Sequence, residues 1–226
     1  MDIEIKKEQL DQRVRSTAHR VGREPSEIIL LAVSKTRPAE AIRNLAALGQ
    51  QAFGENYLQE ALKKISELTD LSLEWHFIGQ IQRNKTRYVV ENFDWVQSVD
   101  RAVIAERLSA QRPAEMGDLN VCIQVRMSEE EGKGGVAPED LFALASTIDS
   151  LPGLELRGLM TIPENTRDTE KQRQSFRMMY RIFSELKSRF TSVDTLSMGM
   201  SGDFELAIEE GSTMIRVGTA LFGPRK

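Results

Sequence analysis

A chain of 226 residues that is 40% hydrophobic can bury one substantial core, and its net charge of −4, with basic residues scattered along it, excludes a nucleic-acid or anionic-membrane surface as the main partner. A single cysteine excludes an internal disulfide. The charged start Met1-Asp2-Ile3-Glu4-Ile5-Lys6-Lys7-Glu8 and the lack of any long apolar run exclude a signal h-region or a membrane span, so the expected location is the cytoplasm.

The first element is an amphipathic helix, predicted by Ile3, Leu10, Val14, Ala18 and Val21 at helical spacing. Beyond it, strand-like apolar runs at 28–34, 51–54, 74–79, 94–98, 119–127, 154–161, 193–198 and 213–217 alternate with helical patterns such as Ala39-Glu40-Ala41-Ile42-Arg43-Asn44-Leu45 and the stretch 169–190. The acidic, then glycine-rich stretch 128–138 is loop-sized, so a single domain over 1–226 is expected. Strands that alternate with helices must run parallel with crossover connections. Eight such units predict an α/β fold, a single (β/α)8 TIM barrel with an extra N-terminal helix. A doubly wound open sheet would normally carry a glycine-rich first turn, and Ser34-Lys35-Thr36-Arg37-Pro38 has no glycine. Cys122, within Val121-Cys122-Ile123-Gln124-Val125, reads as a buried strand residue, and Arg83, Lys85 and Arg87 as a solvated helix face.

In such a barrel the functional residues project from the carboxyl ends of the strands. The first strand, Ile29-Leu30-Leu31-Ala32-Val33-Ser34, ends in Lys35, where poor hydration of an ammonium lowers its pKa toward nucleophilic use and makes the residue a candidate Schiff-base former. The plainer reading is a lysine that reaches past the strand into water. The seventh and eighth turns, Met198-Gly199-Met200-Ser201-Gly202-Asp203 and Arg216-Val217-Gly218-Thr219-Ala220, offer backbone N–H groups and hydroxyls where barrels commonly hold phosphate. Capping by Ser201 or Asp203 and a strand end at Gly218 are the plainer alternatives. A lysine opposite a phosphate cradle defines an aldehyde or ketone that carries a phosphate. Pyridoxal 5′-phosphate (PLP) fits, and so does a phosphorylated sugar in a Schiff-base aldolase.

Six stretches carry a family resemblance: Leu31-Ala32-Val33-Ser34-Lys35-Thr36, Phe53-Gly54-Glu55-Asn56-Tyr57-Leu58-Gln59-Glu60, Trp75-His76-Phe77-Ile78-Gly79-Gln80-Ile81-Gln82-Arg83-Asn84-Lys85, Arg157-Gly158-Leu159-Met160-Thr161-Ile162-Pro163, Leu196-Ser197-Met198-Gly199-Met200-Ser201-Gly202-Asp203 and Ile215-Arg216-Val217-Gly218-Thr219-Ala220-Leu221-Phe222-Gly223. In order, and over nearly the whole chain, they resemble the YggS/PROSC family of PLP homeostasis proteins. The resemblance implies a fold-type III PLP-binding barrel, similar to the N-terminal domain of alanine racemase, with the cofactor held as an internal aldimine on Lys35. It further implies that Ser201, Gly218 and Thr219 hold the phosphate, that Arg216 faces the ring nitrogen, and that Asn56, His76 and Met200 belong near the cofactor. Gly132-Lys133-Gly134-Gly135 resembles a looser version of the family's lysine-containing loop, which makes Lys133 a candidate second site.

An arginine beside the pyridine nitrogen offers only donors and keeps the ring unprotonated, a weaker electron sink that limits carbanion chemistry. Its plainer reading is an ion pair at the barrel rim. His76, one of two histidines, reads by itself as a hydrogen-bonded core residue rather than a general base, and His19 as surface. The expected function is a non-catalytic carrier that buffers or delivers PLP, with apo PLP-dependent enzymes as recipients. The alternative is an amino acid racemase or decarboxylase using the same lysine; a phosphosugar aldolase is a third reading. After Phe222-Gly223 only Pro224, Arg225 and Lys226 remain, so no C-terminal β domain and a monomer are expected, and Tyr57, Tyr88 and Tyr180 all fall in helical patterns, which leaves racemisation without an evident second proton donor.

Overall fold

The computed structural model describes residues 3–127, 134–164, 166 and 168–224. Helix α1 (Ile3–Arg20) leads into β1 (Ile29–Val33), α2 (Ala39–Ala47), β2 (Ala52–Glu55), α3 (Leu58–Glu67), β3 (Glu74–Phe77), α4 (Thr86–Val90), β4 (Trp95–Val99) and α5 (Ala102–Gln111). The second half follows as β5 (Leu119–Val125), α6 (Leu141–Asp149), β6 (Leu154–Thr161), α7 (Thr169–Arg189), β7 (Thr195–Ser197), α8 (Phe204–Glu209), β8 (Met214–Val217) and α9 (Thr219–Phe222). The strands close a parallel barrel in chain order, β8 pairing with β1 at Leu31↔Arg216 and Ala32↔Val217. The predicted eight-stranded barrel with its additional helix is therefore the observed fold.

Closure follows from the residue pattern. Parallel strands covered on both sides need near-continuous apolar runs, and β4 and β2 are buried at every position. The helices supply the outer wall of the core, with Ile42, Leu45, Val89, Ile104, Leu108, Phe176 and Leu186 excluded from solvent, each worth about 1.5–3 kcal/mol of transfer free energy. Helix α1 buries Leu10, Val14 and Ala18 and packs beside α8, α9 and α2, while Val21 of the predicted stripe lies beyond the helix and is exposed. No helix among the described residues is long and apolar enough to cross a membrane.

Cys122 is buried in β5, and burial pushes its thiol well above the ordinary range. With no thiolate available, a thiol reagent at pH 8 is expected to leave the native protein unlabelled and to modify Cys122 only after unfolding.

Candidate functional site

Lys35 is carried by a turn rather than by the strand. Ser34 N donates to Gly54 O at 3.0 Å, and the Lys35-Thr36 turn is closed by Arg37 N donating to Ser34 O at 3.0 Å, with Lys35 half-buried. Thr36 has φ 64°, a left-handed conformation that costs a β-branched residue about 1–3 kcal/mol, so its surroundings must hold it there. They do so through α3. The Thr36 amide donates to Glu60 Oε1 at 2.6 Å, and Lys64 Nζ donates to the same carboxylate, to Ser34 O at 2.8 Å and to Glu55 Oε1 at 2.7 Å. Ser34 Oγ completes the network by donating to Glu55 Oε1 at 2.7 Å. Glu55 is 0% and Lys64 4% exposed; burial raises the Glu55 carboxyl above its usual range, with Lys64 and Ser34 pulling the other way. The residues on either side of Lys35 are thus fixed by one buried ionic cluster.

The neighbouring strand supplies the small residues. Gly218 lies against β1 so closely that a Cβ there would sit 3.1 Å from Val33 O. The amides of Gly218 and Thr219 precede the first hydrogen bond within α9, and Ala220 N donates to Ser201 Oγ at 3.3 Å. Ser201 belongs to the turn after β7, where Met200 N donates to Asp203 Oδ1 at 2.5 Å. Lys35, Met200, Ser201, Gly218 and Thr219 therefore share one sector of the carboxyl mouth, where β7, β8 and β1 meet. Asn56 follows β2, the next strand round, and its buried Oδ1 has no hydrogen-bond partner among the described residues.

Arg216 lies inside the barrel beneath this sector. Nη1 donates to Ser197 O at 2.7 Å and to Ser197 Oγ at 2.8 Å, and Nη2 donates to Thr161 O at 2.7 Å. Burial lowers the guanidinium to about 10, while Asp203 favours its charge; at neutral pH it remains a cation that can only donate. The rim ion pair that was the plainer reading of this arginine is not formed among the described residues. His76 is not brought to the mouth. It is fully buried in β3, with Nε2 2.7 Å from Glu74 Oε1, Nδ1 2.9 Å from Gln97 Nε2, and its ring stacked on Trp95 at 5.1 Å. Lys133 lies outside the described residues.

Two cavities adjoin the mouth on its far side. One of about 230 Å³ is walled by Asn56, Ser98, Asp100, Gln124 and Ile162, and another of about 400 Å³ by Tyr57, Gln80, Gln82 and Lys85. Tyr57 departs from its predicted helical setting: it precedes α3 in extended conformation and is exposed. Asn56, which walls both cavities, is held against Gly79, where an added Cβ would lie 2.0 Å from Asn56 O. Because the obstacle is backbone, no rotamer relieves it. Gly79→Ala is expected to destabilise the protein by about 1–3 kcal/mol, read from the denaturant midpoint, as the ends of β2 and β3 are forced apart.

Sequence signals for the missed residues were modest. Lys64 follows Glu60 by four residues, a spacing that looks like an exposed helical ion pair. Gln97 and Ser98 interrupt the apolar run Trp95–Val99, and an internal polar pair in a buried strand can mark an interior network.

Comparisons with known proteins place this geometry. A family model described as alanine racemase, N-terminal domain, matches residues 5–226. A pyridoxal phosphate homeostasis protein of Pseudomonas aeruginosa is 56% identical over 213 residues, covering 94% of this chain and 91% of that protein. The protein of the same name from Escherichia coli K12 is 49% identical over 227 residues, covering 99% and 97%. The structure of PipY from Synechococcus elongatus with PLP bound superposes with a TM-score of 0.82 at 41% identity, covering 94% of this chain and 99% of that one. Alanine racemase of Corynebacterium glutamicum shares the fold at a TM-score of 0.67 and 20% identity, this chain spanning 60% of its length. The chain belongs to the alanine racemase N-terminal-domain family, within the group whose curated members are named pyridoxal phosphate homeostasis proteins.

Proposed function

We propose that this protein binds PLP at Lys35 and serves its homeostasis in the cell as a non-catalytic carrier that buffers or delivers the cofactor. The observation that carries this reading is the convergence of a clamped lysine, two glycine- and hydroxyl-bearing turns and a buried guanidinium in one sector of the barrel mouth. When bound, PLP supplies an aldehyde that condenses with an amine and is released from it by water or another amine. The chain's own residues do the rest. Lys35 offers Nζ as the attachment point, Ser201, Gly218 and Thr219 would receive the phosphate, and Arg216 would meet the ring nitrogen. The lack of a Cβ at Gly218 lets this turn pack against β1, where a side chain would meet Val33 O at 3.1 Å. Asn56 and Met200 would border the cofactor, Asn56 through a buried oxygen that still needs a donor. The relatives' name supports homeostasis over racemisation; the racemases share only the fold at this level of identity. Apo PLP-dependent enzymes would be the recipients.

The test is the visible spectrum of the wild-type protein incubated with PLP, followed by borohydride reduction and peptide mapping. A yellow protein with the reduced label on Lys35 is expected. A protein that stays colourless with excess PLP would sink the cofactor reading.

A further inference from the structure

A row of polar side chains runs the length of the barrel interior, and holding the cofactor accounts for only its upper end. From Arg216, Nη1 donates to Ser197 Oγ at 2.8 Å, and Ser197 Oγ donates to Gln97 Oε1 at 2.6 Å. Gln97 Nε2 lies 2.9 Å from His76 Nδ1, and His76 Nε2 lies 2.7 Å from Glu74 Oε1. Arg216, Ser197, Gln97 and His76 are all buried, whereas the Glu74 side chain is 45% exposed at the amino-terminal end of β3. There it borders a cavity of about 480 Å³ with Asp94, Arg112, Asp118 and Asn120, on the face opposite the mouth.

Donor chemistry gives this row a direction. A guanidinium only donates, so the Ser197 hydroxyl accepts from Arg216 and has a single proton to give to Gln97 Oε1. The Gln97 amide is thereby oriented, its NH2 facing His76 Nδ1 and, at 3.1 Å, Met214 Sδ. His76 Nδ1 must then accept, which leaves the ring neutral with its proton on Nε2, pointed at the Glu74 carboxylate. Every hydrogen bond in the row points away from the mouth. We infer that Gln97 is the positioning residue of a one-way relay that orients Arg216 toward the cofactor and couples it to the charge of Glu74 on the opposite face.

The coupling has a physical cause. A proton added at His76 Nδ1 would face the Gln97 NH2, two donors opposed, and the amide would have to turn and withdraw its acceptor from Ser197. Ser197 would then lose the orientation that receives Arg216. The groups around His76 act against each other: Glu74 and Asp94 favour the imidazolium, burial opposes it and prevails, and Arg157 packs its guanidinium 4.9 Å from the Trp95 ring on which His76 stacks. The neutral ring that the hydrogen bonds require is also the state that burial favours.

Two measurements test the relay, which rests on the PLP reading only in the second. In the protein without cofactor, the imidazole ¹⁵N shifts of His76 are expected to report a neutral ring with its proton on Nε2 at neutral pH. A His76 ring that carries a proton on Nδ1 at neutral pH, as the other tautomer or as the imidazolium, overturns the relay, whether or not PLP binds. In the PLP-bound protein, Gln97→Leu and Arg216→Gln are each expected to speed PLP release about tenfold and to shift the pH titration of the visible band, with the double variant no worse than Arg216→Gln alone. Glu74→Gln, at an exposed position that spares the fold, is expected to shift the same titration in the same direction. Additive effects of Gln97→Leu and Arg216→Gln, or a Glu74→Gln titration identical to wild type, would overturn the coupling while leaving PLP binding at Lys35 intact.

Discussion

Lys35→Ala is expected to replace the visible band of the lysine adduct by that of the free aldehyde and to weaken PLP retention by at least about 100-fold, about 2.7 kcal/mol, with the fold intact. Lys35 sits half-buried in a turn whose geometry is fixed by its neighbours: Ser34 through Gly54 and Glu55, Thr36 through Glu60. Truncating it removes no bond of the Glu55–Lys64–Glu60 cluster, which holds Ser34 and Thr36 on either side, so the turn is expected to keep its geometry. What remains in the variant is the phosphate end of the site, Ser201, Gly218 and Thr219, together with Arg216. Residual binding that leaves no borohydride label on the protein and that inorganic phosphate displaces is the expected signature. Ser201→Ala should show the opposite split, weaker retention with the band preserved. If Lys35→Ala remains yellow and is labelled on another lysine by borohydride, attachment is not at this turn.

The barrel is legible in the chain because parallel strands buried on both faces must be apolar almost throughout, and each of the eight runs is bounded by polar or turn-forming residues. Their limits shift by at most two residues, the most where the apolar pattern outlasts the pairing: Ile78 and Gly79 continue the third run but lie beyond β3, which ends at Phe77. The strand-end residues are legible for the same reason, since the fold fixes which end bears function. The supporting groups are not. Lys64 on α3 and Glu55 on β2 are nine positions apart, and nothing local shows that a helical lysine turns inward to a buried carboxylate. His76 is a related case. A histidine inside a strength-giving apolar strand fits both a site residue and a core residue, and only the partners Glu74 and Gln97 decide which end of the barrel it serves. Tyr57 was hidden by a helical pattern that begins one residue too early.

Lys64→Met is expected to cost about 3–5 kcal/mol at neutral pH, a large share of the roughly 5–15 kcal/mol available to a domain, because it strands Glu55 in a site that excludes water. The lysine side chain is 6% exposed and spends its hydrogen bonds on Glu55, Glu60 and Ser34 O; methionine fills much of the volume and replaces none of them. The pH dependence gives the cause away. Burial already raises the Glu55 carboxyl, and loss of the cation raises it further, so the folded variant holds the proton to higher pH than the unfolded chain. A carboxyl raised on folding carries no penalty below its unfolded value of about 4.3, loses stability as pH climbs through that value, and bears the full penalty once pH exceeds the folded value. The deficit of Lys64→Met against wild type should therefore shrink on acidification, and Glu55→Gln added to it should recover part of the loss at pH 7. A deficit independent of pH, unrelieved by Glu55→Gln, would mean that packing rather than charge holds α3 to the turn. Because the same lysine fixes Ser34 O and, through Glu60, the strained Thr36, a Lys64→Met protein that still folds should also lose the visible band more readily than wild type. That would tie the presentation of Lys35 to a buried pair that never touches the cofactor.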